Sequence, residues 1–157
     1  PFIPNALHAS AQHSAHFPQG VLTNGHKEVQ RAKTIACKAA SLFGETRVIV
    51  AGEYPEQKPH ASIFRVACEA LGEQPANVIM VGDSYAADIT GGINAGLLAT
   101  VWVGPPPASD ESDGRDGKDS GGSIMHGHVS TVPAGHPPPT HTLGSVLELE
   151  SALEMIG

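Results

Sequence analysis

Three short, continuous apolar runs constrain this chain more than any other feature in it. They are TRVIVAG at 46–52, NVIMVG at 77–82 and LLATVWV at 97–103. A strand with one wet face alternates apolar and polar residues, because successive side chains point to opposite sides of the sheet. Runs without that alternation fit strands covered on both faces, as in a parallel sheet between layers of helices. The stretches between the runs repeat at helical period. Strands alternating with helices predict an α/β fold, a parallel sheet with flanking helices.

The segment VLTNGHKEVQ at 21–30 adds a fourth strand and its exit. Asn-Gly signals a hairpin when alternating residues flank it on both sides. Here the right flank carries Val29, Ala32, Ala36, Ala39 and Phe43, a helical stripe that begins near His26. Thr23, Asn24 and Gly25 therefore lie between the end of a strand and the start of a helix. A second helix is expected after Lys58, with Pro59 in its first turn and Gly72 just past its end. A third places Ala86, Ile89 and Ile93 on one face. Ser145 and Glu148 have capping-box spacing ahead of a closing helix with a buried stripe of Val146, Leu149, Leu153 and Ile156. Met80 and Trp102 read as core residues.

Four regions follow from the pattern. Residues 1–19 read as a weakly helical N-terminal segment bearing His8, His13 and His16. Residues 20–103 form the α/β core, and 140–157 supply its last strand and helix. Between them, 104–139 is rich in Gly, Pro, Ser, Asp and His and has little to bury, which predicts a disordered insertion. His126, His128, His136 and His141 lack the fixed spacing of a structural zinc site, so a solvated low-complexity run is the better reading.

The formal charge of −7 argues against an electrostatic nucleic-acid footprint. No run approaches the roughly 18 apolar residues of a membrane span. Cys37 and Cys68 are separate and lie inside expected helices, which suits free thiols in a reducing, cytoplasmic compartment. No feature fixes an oligomeric state.

Ligands of open parallel sheets bind beyond the carboxyl ends of the strands. At those ends stand Thr23, then Lys58, then Asp83, Ser84 and Asp88 in GDSYAAD. A hydroxyl and backbone N–H groups suit phosphate oxygens, a lysine supplies a point charge, and two carboxylates suit Mg²⁺. In response-regulator receivers the metal carboxylates precede the hydroxyl; here they follow it. With VLTNG, QKPHASIF and VGDSYAADITGGINAGLLATVWV, this order resembles the haloacid dehalogenase (HAD) superfamily of phosphatases. The resemblance covers about residues 20–103 and 140–155 and implies a Rossmann-like, HAD-like domain.

The resemblance also implies roles. Thr23 would hydrogen-bond the transferring phosphoryl group, with Asn24 and Gly25 presenting backbone N–H groups to it. Lys58 would balance charge, and Asp83 would hold Mg²⁺ directly. Asp88 would support the metal shell or hold Lys58, and Ser84 would orient the loop. The substrate would be a small phosphorylated molecule of the sugar-phosphate class.

The departures carry equal weight. These phosphatases open with a strand ending in Asp-x-Asp, whose first aspartate attacks phosphorus and whose second serves as acid and base. No apolar strand here ends that way, and Asp110, Asp113, Asp116 and Asp119 are three apart. The helical cap that reads substrate has no counterpart either. In the family the missing strand is the central one, between those carrying Thr23 and Asp83. The chain begins with Pro1, and the expectation is the C-terminal portion of a HAD phosphatase, inactive alone. The alternative is a catalytically dead domain that binds phosphate or a protein partner.

Overall fold

The computed structural model describes residues 17–104, 132 and 134–156. The expected N-terminal helical segment and most of the 104–139 insertion lie outside these residues. Among the described residues there are five short strands: β1 (Val21–Thr23), β2 (Val48–Val50), β3 (Ile79–Gly82), β4 (Ala99–Val103) and β5 (His141–Leu143). All pairings are parallel, but the strands form two sheets, β1–β2 and β3–β4–β5. Among the described residues no strand stands between β1 and β3. A cleft of about 700 Å³ lies there instead, lined in part by Leu22, Ile49, Phe64, Met80 and Val81.

That cleft corrects one expectation. β2 is fully buried and β4 nearly so, whereas every residue of β3 is only half-buried, as in β1. Both half-buried strands line the cleft, so their apolar residues lack one covering neighbour.

The helices are α1 (Lys27–Ala36), α2 (Ala39–Phe43), α3 (Ala61–Leu71), α4 (Gly91–Asn94) and α5 (Leu149–Ile156). None among the described residues is long and apolar enough to cross a membrane. α3 ends at Gly72 in the left-handed conformation (φ 76°), as its sequence predicts. Pro59, however, precedes the N-cap His60 and follows Lys58 across a cis peptide, so it lies outside the helix rather than in its first turn. Ile63 and Phe64 of α3 pack into the core with Ile49 and Ala51, and Cys68 is buried as well.

The single stripe expected from Val29 to Phe43 is broken. Lys38 adopts φ 56°, ending α1 and starting α2 on a new axis. Only Ala39 and Phe43 of that stripe are buried; Val29, Ala32 and Ala36 are exposed. α1 turns Gln30, Arg31 and Thr34 inward instead. Arg31 donates to the Val48 carbonyl at 3.3 Å and forms a two-pronged pair with Glu53, Nε to Oε1 at 2.6 Å.

The Arg31 hydrogen bond holds the Glu53 carboxyl below the ordinary glutamate range. A depressed carboxyl pKa stabilises the fold above the unfolded value, about 4.3, and that help is lost as the pH falls through the folded value. Both side chains are about a third exposed, 39% and 31%, so the pair contributes at most ~1 kcal/mol. Glu53→Gln should therefore lower the urea midpoint slightly at neutral pH, and the difference should fade below about pH 4.

A π-helical turn, Tyr85–Thr90, follows β3 and replaces the expected α-helical start. It buries Tyr85, Asp88 and Ile89, while Ala86, expected on the inner face, is exposed. At the closing helix, Ser145 Oγ caps the Leu147 N–H. Val146, Leu149, Leu153 and Ile156 are half-buried, and Ala152 is the residue wholly inside.

Candidate active site

The charged centre of the molecule is a buried pair. Lys58 Nζ donates to Asp88 Oδ1 at 2.6 Å, and the side chains are only 9% and 5% exposed. The same ammonium donates to the Leu22 carbonyl at 2.9 Å. Leu22 belongs to β1, and Asp88 to the turn after β3, so Lys58 ties the carboxyl ends of the two sheets together across the cleft. Each component has its own structural support. The Asn24 side chain grips the Lys58 peptide from both sides, accepting its N–H at 3.0 Å and donating to its carbonyl at 2.8 Å. Asp88 Oδ2 accepts the Ser84 N–H at 3.0 Å. Ser84 Oγ accepts from the Ala87 N–H, and the Ser84 carbonyl accepts from Asp88 and Ile89, which is the wider spacing of a π turn.

Two glycines allow this closeness. A Cβ on Gly82 would lie 2.2 Å from Asp88 Oδ2, and one on Gly52 would lie 2.2 Å from the Gly25 carbonyl. Neither position could carry a side chain without displacing the site.

Asp83 stands apart from the pair. It is exposed, and among the described residues its carboxylate has no hydrogen bond or ion pair. Its backbone carbonyl accepts the Trp102 indole N–H at 3.1 Å. No group of three acidic, His or Cys side chains among the described residues is gathered for a metal.

The hydroxyl end is occupied by protein. Thr23 Oγ1 donates to Gln30 Oε1 at 3.2 Å, and the Gly25 N–H donates to Gln57 Oε1 at 3.0 Å. Two amide oxygens thus sit on two of the three donors expected to face a phosphoryl group. Sequence reasoning did not single out Gln30 or Gln57. Gln30 faces inward from the first turn of α1, a placement obscured by the apolar stripe, and no spacing rule joins Gln57 to Gly25 across 32 residues.

Thr23, Lys58 and Asp88 are thereby gathered at one end of the sheets, while Asp83 follows the end of β3 with its exposed side chain outside the pair. A family model for haloacid dehalogenase-like hydrolases matches residues 4–96. The chain belongs to the haloacid dehalogenase-like hydrolases. It is 40% identical over 136 residues to N-acylneuraminate-9-phosphatase of Rattus norvegicus, covering 87% of this chain and 45% of that protein. It is 51% identical over 83 residues to the Homo sapiens protein of the same name, covering 53% of this chain and 33% of that protein. The chain thus spans less than half the length of these relatives. Among solved structures, the HAD-hydrolase YfnB of Bacillus subtilis superposes with a TM-score of 0.66 at 24% identity, covering 95% of this chain and 53% of that one. At that identity the likeness establishes the HAD-like fold.

Proposed function

We propose that this chain carries the phosphate-binding and charge-balancing part of a Mg²⁺-dependent phosphate monoester hydrolase acting on an N-acylneuraminate 9-phosphate. The names of the relatives support the substrate. The buried Lys58–Asp88 pair, joined to the residue before Thr23, is the observation that carries the chemistry. An ammonium has three N–H donors and Lys58 spends two on protein, leaving one for a phosphoryl oxygen. Asp88 fixes that ammonium with one oxygen while the Ser84 N–H holds the other. For Thr23 and Gly25 to donate to the phosphoryl group, the Gln30 and Gln57 oxygens must move aside.

Asp83, exposed and without a partner among the described residues, supplies the one carboxylate for Mg²⁺; Asp88, with both oxygens engaged, fits the role of lysine holder. Mg²⁺ commonly takes one or two carboxylates and keeps several waters. When bound, the ion supplies positive charge that offsets the charge of the transferring group. Two free thiols, Cys37 and Cys68, suit a reducing, cytoplasmic setting.

The sequence contains no Asp-x-Asp. This favours a second reading, in which the 157-residue chain binds phosphate and Mg²⁺ weakly without turnover. Calorimetric titration with MgCl₂ tests the site. Asp83→Asn should weaken binding at least about tenfold, since it removes the charged ligand. Unchanged affinity would place the ion elsewhere.

A further inference from the structure

Asp83 is the single residue between the end of β3 and the Ser84 N-cap of the π turn. Its carboxylate has no partner among the described residues, so its placement depends on how its backbone is held. That hold comes from β4. Trp102 is paired in register with Gly82, is 3% exposed, and donates its indole N–H to the Asp83 carbonyl. The indole is packed with Tyr85 and Ile89, and with the half-buried Ile93. Tyr85 meets it edge-on at 5.3 Å and 81°.

Tyr85 in turn reaches the long connection between β4 and β5. Its hydroxyl donates to the Pro137 carbonyl, and its ring meets the His136 ring edge-on at 6.1 Å. A continuous set of contacts therefore runs from residues 136 and 137 through Tyr85 and Trp102 to the backbone of Asp83.

We infer that Trp102 is a positioning residue for Asp83, through which the contacts of Tyr85 with His136 and Pro137 set the affinity of the metal site. This inference rests on Asp83 being the Mg²⁺ carboxylate. An N–H to a backbone carbonyl fixes the orientation of the peptide that follows Asp83, and with it the direction of the side chain. Loss of one such bond typically shifts an equilibrium about three- to tenfold.

The chain's one tryptophan is Trp102, so its emission reports on this site. In the full chain, adding MgCl₂ should change that emission, and Asp83→Asn should abolish the change. By calorimetry, Trp102→Phe, which keeps an aromatic ring but loses the N–H, should weaken Mg²⁺ about three- to tenfold. Ile93→Val trims the same cluster without touching the hydrogen bond. It should lower the melting temperature while leaving Mg²⁺ affinity within about twofold.

Should Trp102→Phe not fold, Tyr85→Phe carries the test. It keeps the ring and breaks only the link to Pro137, and it should shift both Trp102 emission and Mg²⁺ affinity. The inference is overturned if Asp83→Asn loses Mg²⁺ while Trp102→Phe, or Tyr85→Phe in its place, binds as the parent does. It is also overturned if Ile93→Val weakens binding as much as Trp102→Phe, because packing alone would then explain the effect. If Asp83→Asn binds normally, the metal assignment fails first, and the inference falls with it.

Discussion

The purified 157-residue chain is expected to release no phosphate from N-acetylneuraminate 9-phosphate or from an aryl phosphate, with or without MgCl₂. In the proposed reading Thr23 and Lys58 position the phosphoryl group and offset its charge, with Asp83 holding the Mg²⁺ that offsets the rest, and such electrostatic help is a large share of this chemistry. No carboxylate in the described site is available to attack phosphorus. Asp88 is committed to Lys58 and Ser84, and Asp83 is the carboxylate proposed for the metal. Losing a covalent nucleophile costs on the order of a millionfold in turnover in well-studied hydrolases. Adding a polypeptide that supplies a strand ending in Asp-x-Asp should create activity and occupy the cleft between β1 and β3 together. Release of inorganic phosphate is the assay. Magnesium-dependent turnover by the chain alone, abolished by Asp83→Asn, would show that another residue serves as nucleophile.

The second large effect concerns the Lys58–Asp88 pair. Asp88→Asn leaves an ammonium buried without its counter-ion, and Lys58→Met leaves a buried carboxylate. Each should cost about 3–5 kcal/mol, a serious fraction of the roughly 5–15 kcal/mol that holds a domain together. The double replacement Lys58→Met/Asp88→Leu should recover much of that loss, because the charges leave together. Gly82→Ala should act in the same direction as Asp88→Asn, since its methyl group would stand where the Asp88 carboxylate lies. Urea unfolding checks all four. Single replacements costing under about 1 kcal/mol would mean that the pair is not the tie between the sheets.

Much of this fold is legible in the residues. Strands read as VIV and ATVWV because β2 and β4 are covered on both faces, and α3 reads from its period and its terminal glycine. The grouping of Thr23, Lys58 and Asp88 follows from parallel strands presenting the same ends. Other features were hidden for physical reasons. Apolar periodicity promised one helix from Val29 to Phe43, but Lys38 in the left-handed region reorients the chain, and Arg31 finds its partners on the inner face. The contacts of Gln30 and Gln57 depend on long side chains spanning elements, which no local pattern encodes. Asn24 was expected to offer its backbone to phosphate, yet its side chain is what fixes Lys58. The split between the two sheets, by contrast, lies where the resemblance places the missing central strand, between the strands that carry Thr23 and Asp83.

The π turn at Tyr85–Thr90 has a consequence for how this sequence can vary in length. Ala86 is exposed, and a surface alanine in a turn is ordinarily a safe place to lose a residue. Here the loss would shorten the Ser84-to-Asp88 spacing across which Asp88 Oδ2 reaches back to the Ser84 N–H. The same spacing sets where the Asp88 carboxylate meets Lys58, so the pair would be disturbed although every side chain of it was intact. Insertions and deletions between Ser84 and Asp88 are therefore constrained as tightly as the charged residues themselves, and the spacing of five residues from Asp83 to Asp88 is itself part of the site.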